Sequence, residues 1–266
     1  MCIIISKNSG IEMPTEEVLN NCARTNAHGA GFAYALKGHT PTISKGFMTV
    51  ETLLGDLRAR KIGVEHNLII HFRYATHGPK SPENCHPFPL TPDFKEMQYL
   101  RCTCECAIAH NGVFSDMPAS DKYSDTMKFI GGVLASPHII GGIHTKPVKE
   151  LIKGYCGYGS KLAFLTKSGI TLIGTWNIDE GIQYSNYCYT NYGVKTKVTD
   201  YSDYSWKDWK NRYNDKSKEQ KYLTAQDKYV CHFCKELKDC KYDAEYMGML
   251  CSECSISLAS YTSKED

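Results

Sequence analysis

Six apolar runs of strand length, separated by polar and glycine-containing turns, set the limits on how this chain can fold. They are Cys2–Ile5, Gly31–Leu36, Asn67–Tyr74, Cys106–Ala109, Lys161–Thr166 and Ile170–Trp176, each short enough for a buried strand and too short for a buried helix. Lys167-Ser168-Gly169 joins the last two as a hairpin turn. Helical segments are expected after Thr15, Thr49 and Ser124, each a usable N-cap. Val50, Leu53, Leu54 and Leu57 share one helical face. Many strands with few intervening helices predict an α+β fold of sheets covered by helices, not a repeating βαβ array. Cys102, Cys104 and Cys106 alternate, as on one face of one strand, and are expected to be core thiols; a second metal site is the weaker alternative, since three thiolates on one strand make a poor tetrahedron.

After about Val198 the character changes, which gives three expected segments: a main domain over 1–198, a linker over 199–228 and a small module over 229–266. The linker mixes charges with Tyr201, Tyr204, Trp206, Trp209 and Tyr213. It reads as an amphipathic helix or, second, as an aromatic and basic nucleic-acid contact surface. In the module, Cys231, Cys234, Cys251 and Cys254 form C-x2-C…C-x2-C with a 16-residue gap. That spacing suits four thiolates at about 2.3 Å around a structural Zn2+ in a ribbon or treble-clef-like knuckle. His232 and Cys240 are spare ligands, and a redox pair is the weaker alternative. With few apolar residues of its own, the module is expected to fold only around metal.

Charge and cysteine usage exclude several classes. Thirty-one basic and 29 acidic residues leave a net charge of +2, so there is no global polyanion-binding signature. No basic segment precedes an apolar one at the start, and no apolar run approaches ~18 residues. A soluble cytoplasmic protein is expected, with no membrane partner. Thirteen cysteines, odd in number and clustered, suit free thiols and metal ligands in a reducing compartment.

Cys2 becomes the first residue if Met1 is removed, which its small side chain permits. Its α-amine, titrating near ~8, can then serve as general base for its own thiol, near ~8.5. The plain alternative is the buried start of a strand. Three polar segments add to it. His71-Phe72-Arg73-Tyr74-Ala75-Thr76-His77-Gly78 offers a guanidinium that can clamp a carboxylate, with Thr76 and His77 as further donors. Ala109-His110-Asn111-Gly112 offers a side-chain amide and a backbone N–H for an oxyanion. Ser124-Asp125-Thr126 offers a carboxylate for an ammonium group. Taken singly, Arg73 reads as a surface ion pair, Asn111-Gly112 as a turn and Asp125 as a helix-terminal charge. Together they describe a site for an α-amino acid with a reactive side-chain carbonyl.

The ordered set resembles the class II glutamine amidotransferase domain, an N-terminal-nucleophile hydrolase. Its elements are Met1-Cys2-Ile3, Asn26-Ala27-His28-Gly29-Ala30-Gly31-Phe32-Ala33, the segment around Arg73, Asn84-Cys85-His86-Pro87-Phe88, Ala109-His110-Asn111-Gly112 and Ser124-Asp125-Thr126. The resemblance spans about residues 1–195 and implies a four-layer αββα sandwich. It implies that Cys2 attacks the side-chain amide of L-glutamine, that Asn111 and the Gly112 N–H stabilise the oxyanion, and that ammonia leaves before water hydrolyses a γ-glutamyl thioester. Arg73, with Thr76 and His77, would hold the α-carboxylate and Asp125 the α-ammonium. His86 is expected to order a loop. His28 stands where members of the family often carry Asp. No acceptor domain follows, so a separate synthase is the expected partner, with a stand-alone amidase as the alternative, and the zinc module would dock a protein or a nucleic acid. Two other readings stay open: an N-terminal-Cys amidase acting on another amide, and an inactive interaction protein working through its zinc module.

Overall fold

The computed structural model describes residues 2–75, 79–114, 116–117, 120, 122–157 and 159–190, and in the tail 229–230, 237–238, 240–243 and 248–252. The chain divides into two units, Met1–Val194 and Lys195–Asp266. In chain order the first holds β1 (Ile3–Lys7), α1 (Glu16–Thr25), β2 (Ala30–Leu36), β3 (Thr42–Phe47), α2 (Val50–Ala59) and β4 (His66–Phe72). There follow β5 (Phe88–Pro89), α3 (Phe94–Met97), β6 (Arg101–Thr103), β7 (Cys106–Asn111) and α4 (Asp125–Phe129), which runs on into a π-helical turn at Ile130–Leu134. Then come α5 (Pro137–Gly142), α6 (Lys146–Cys156), β8 (Lys161–Thr166), β9 (Gly169–Ile173), β10 (Asn177–Asp179) and β11 (Ile182–Tyr184).

These strands build two antiparallel sheets, ordered β10-β11-β1-β4-β2-β3-β6 and β5-β7-β8-β9. Side chains alternate between the two faces of a strand, and the alternation sorts the core into three clusters. Ile3, Ile5, Phe32, Leu68, Ile70 and Phe72 meet Leu19 and Cys22 of α1 and Leu53 and Leu57 of α2. On the opposite face, Ile4, Ala33, Ala35, Ile43 and Ile69 meet Ala107, Ala109, Ala163 and Leu165 of the second sheet. The far side of that sheet packs Ile108, Leu162 and Phe164 on Met127, Phe129 and Ile152 from the helical segments. The layers therefore run helix, sheet, sheet, helix. Thr15, Thr49 and Ser124 cap their helices by accepting the N–H of Val18, Thr52 and Met127.

The three alternating cysteines do not share a face. Cys102 lies on β6 in the larger sheet, whereas Cys106 opens β7 in the smaller one and packs on the helices. The chain changes sheets between them, so the period of a single strand does not apply. β3 escaped the apolar reading because it carries Lys45, which is buried. Its Nζ donates to the carbonyls of Glu83 and Met97 at 2.8 and 2.6 Å and lies 4.0 Å from the centre of the Phe88 ring. These partners offset part of the ammonium's desolvation, and burial still lowers its pKa to about 7.

In the second unit, β12 (Tyr229–Val230) pairs with β13 (Leu237–Lys238) and β14 (Cys240–Asp243) with β15 (Gly248–Cys251). The 199–228 linker and Cys231, Cys234 and Cys254 lie outside the described residues. Among the described residues, no helix is long and apolar enough to cross a membrane.

Candidate active site

Cys2 immediately precedes β1, whose Ile3 pairs with Phe72 at the end of β4, so Cys2 lies beside Arg73 and its neighbour Tyr74. The Tyr74 N–H donates to the Cys2 Sγ at 3.2 Å, and the thiol lies 3.4 Å from the Tyr74 carbonyl. Burial pushes the thiol pKa up. The Tyr74 N–H, the chain N-terminus and the Arg73 charge oppose that rise by stabilising the thiolate. Strand alternation fixes the directions. Cys2 is in phase with Ile4 on β1, Arg73 with Ile69 on β4, and Asn111 with Ala107 and Ala109 on β7, all on the inter-sheet side.

Asn111 is buried at the last position of β7, and its Nδ2 donates to the Ser185 hydroxyl at 2.8 Å. The same hydroxyl accepts the Ile4 N–H at 2.8 Å. Asn111 is thus tied to the strand that begins at Cys2. The next residue is restricted to glycine, since a Cβ on Gly112 would come within 2.5 Å of the Ser160 Oγ and 2.7 Å of the His110 Nε2. Asp125 opens α4; its Oδ2 accepts the Phe114 N–H at 2.9 Å and its Oδ1 the Thr126 N–H at 2.8 Å. This holds the carboxylate against the loop that follows Gly112.

Arg73 is 4% exposed, and its Nη1 donates to the Pro79 carbonyl at 2.7 Å. Burial lowers its pKa, and the negative forms of Cys85, Cys2 and Asp125 act in the opposite direction. One guanidinium therefore couples electrostatically to the thiol and to the carboxylate. Thr76 and His77 lie outside the described residues.

His28 braces this segment. Its backbone N–H donates to the Arg73 carbonyl at 2.9 Å, its Nδ1 accepts the Ala75 N–H at 2.8 Å, and its ring stacks on Tyr74 at 4.8 Å. Burial, followed by the charges of Lys80 and Arg73, lowers its pKa and keeps it neutral. His110 points away from the inter-sheet side, into the helix-side core. Its ring nitrogens meet Thr126 Oγ1 at 3.0 Å and Ser160 Oγ at 3.2 Å, and the ring stacks on Phe114. His86 accepts the His110 N–H at 3.2 Å and stacks on His71 at 4.3 Å, so its place is between the sheets.

Ser185 and Asn186 join the site without any motif that marks them in the sequence. Asn186 Nδ2 donates to the Cys2 carbonyl at 2.7 Å, and its Oδ1 accepts the Cys188 N–H at 3.0 Å. Their one sequence signal is a polar pair after β11, a strand of three residues that is too short to show a period. Chemically, the assembled groups offer a nucleophilic sulfur, an amide donor, a cation for a carboxylate and an acceptor for an ammonium group.

Comparison with protein-family models and with curated proteins gives no match. Among solved structures, the chain is similar to glutamine phosphoribosylpyrophosphate amidotransferase from B. subtilis, solved with ADP and GMP. The TM-score is 0.46 and the identity 17%, over 69% of this chain and 41% of that one. The chain thus spans well under half the length of that protein.

Proposed function

We propose that this chain hydrolyses the side-chain amide of L-glutamine through Cys2. The observation that carries the reading is the placement of Cys2 beside Arg73 where β1 pairs with β4, with Asn111 at the end of β7 tied to β1 through Ser185 and Asp125 held against the loop that follows Gly112. Removal of Met1 frees the Cys2 α-amine, which takes the thiol proton as sulfur attacks the amide carbon. The Asn111 amide and the Gly112 N–H hold the oxyanion, and the C–N bond breaks with proton transfer to the leaving nitrogen. Ammonia departs, and water then cleaves the thioester to give glutamate. Arg73 binds the α-carboxylate, with Thr76 and His77 adding donors, and Asp125 binds the α-ammonium. A cation and an anion gripping the two charged groups of a free α-amino acid favour an amide such as that of glutamine over amides without such an end.

The test is glutamate release from L-glutamine by wild type and by Cys2→Ala, with the N-terminal mass measured on both. Turnover is expected in wild type only, reduced at least ~10³-fold in the variant. Equal release by both, or a retained Met1 on an active enzyme, sinks the mechanism.

In the same proposal, Cys231, Cys234, Cys251 and Cys254 bind a structural Zn2+, which would supply the cross-link that so small a module needs to fold. What supports it is the ligand spacing, C-x2-C…C-x2-C with a 16-residue gap, with Cys251 on β15 in backbone register with Cys240. Elemental analysis is expected to find one zinc per chain, lost in Cys231→Ser/Cys234→Ser. Full occupancy in that variant would refute the assignment. A separate synthase that consumes the ammonia, and a protein or nucleic acid docked by the module, complete the reading.

A further inference from the structure

Ser185 directly follows β11, and its N–H donates to the Ile4 carbonyl at 2.9 Å. In a continuing antiparallel ladder the Ile4 N–H would return to a backbone carbonyl. Here it goes to the Ser185 Oγ at 2.8 Å instead. A hydroxyl has two acceptor sites where it can receive hydrogen bonds. The second receives Asn111 Nδ2 at 2.8 Å, reaching across from the other sheet. Ser185 is 1% exposed and Asn111 4%, so water does not compete for either bond. The neighbouring Asn186 holds the Cys2 carbonyl at 2.7 Å. Two consecutive side chains thus grip the nucleophile's own residue and the amide that faces it.

We propose that Ser185 is a positioning residue: its hydroxyl locks the Asn111 amide in register with the Cys2 strand, so that the second Nδ2 hydrogen is aimed at the oxyanion formed on Cys2 attack. The catalytic part rests on the glutamine-hydrolysis reading; the locking of the amide does not. Asn186 sets the partner distance by fixing the Cys2 carbonyl. Without the hydroxyl, the Asn111 amide turns freely about its last torsion, and the Ile4 N–H loses its acceptor.

The test compares wild type with Ser185→Ala by two readouts. The first is glutamine turnover per Cys2 site titrated with a glutamine-mimicking electrophile, so that misfolded chains are not counted. On that basis kcat is expected to fall ~10–100-fold while KM stays within ~3-fold, as for loss of aim in an oxyanion donor. The second is hydrogen exchange of the Asn111 side-chain amide by NMR, its resonance assigned from its disappearance in Asn111→Asp. Exchange is expected to be slow in wild type and fast in Ser185→Ala. Unchanged kcat per titrated site in an active enzyme overturns the proposal. If wild type turns over no glutamine, the glutaminase reading fails on its own and the amide still decides. Faster exchange in Ser185→Ala then upholds the lock, and unaltered exchange overturns it. Should Ser185→Ala not fold, Ser185→Cys, close in size and with a weak acceptor, carries the same expectations.

Discussion

Two polar sets lie within a few residues of each other along the same strands, and they are put to opposite uses. At the strand ends, Cys2, Arg73 and Asn111 lie on the inter-sheet side, Cys2 bonded to the Tyr74 backbone, Asn111 to Ser185, and the Arg73 charge acting on the Cys2 thiol. Inside them, His71, His86 and His110 are sealed between layers, His71 against His86 and His110 against Phe114 and Thr126. His110 and Asn111 are adjacent in sequence, yet a strand turns adjacent side chains to opposite faces. One step of register separates a residue that packs the helix-side core from one on the inter-sheet side. The difference teaches that a motif such as Ala-His-Asn-Gly bundles two roles, and that the richer titratable side chain is the structural one.

The widest separation is expected from substituting the two neighbours in turn. Asn111→Ala should lower kcat by ~10²–10³-fold, the usual loss for one oxyanion donor, at little cost to stability beyond about 1 kcal/mol for the Ser185 bond. His110→Ala should do the reverse. It empties a fully enclosed site and strands the hydroxyls of Thr126 and Ser160, for roughly 3 kcal/mol of stability, with kcat of the folded fraction nearly unchanged. Urea denaturation and turnover per titrated site measure the pair. A kcat loss in His110→Ala matching that of Asn111→Ala, at full stability, would break the comparison.

Much of this was legible before any coordinates, for physical reasons that differ by residue. Strands with clean apolar runs, such as Ile3–Lys7 and His66–Phe72, announced themselves because both faces are buried. The N-caps were readable because Thr15, Thr49 and Ser124 do local work, three residues from their partners. β3 was hidden by Lys45, whose burial depends on the distant carbonyls of Glu83 and Met97. Cys2, Arg73 and Asn111 could be picked out by chemical type. Ser185 and Asn186 could not, since their significance lies in contacts 181 and 184 residues away in sequence. Nor could alternation tell that Cys102 and Cys106 belong to different sheets.

A smaller and more diffuse effect sharpens the comparison from the side of the histidines. Burial holds His71 and His110 at about 3 and drives His86 well below its ordinary value. The positive charges of Arg73 and, for His86, Lys45 push the same way. All three are therefore neutral in the folded chain, whereas in the unfolded chain each titrates near 6.5. Because the unfolded state binds the extra protons, stability is fully present above that value and declines as pH falls from about 6.5 towards 3. Each histidine should contribute about 1 kcal/mol of loss between pH 6.5 and pH 5.5. Urea midpoints measured across that range should fall accordingly. His71→Phe, which preserves the flat stack on His86, should remove about 1 kcal/mol of that loss, the share of one histidine. An acid slope that His71→Phe leaves intact would mean that His71 is already charged, or open to water, in the folded protein. The sealed set would then extend to His86 and His110 alone, and the boundary between architecture and chemistry would lie one residue deeper along β4.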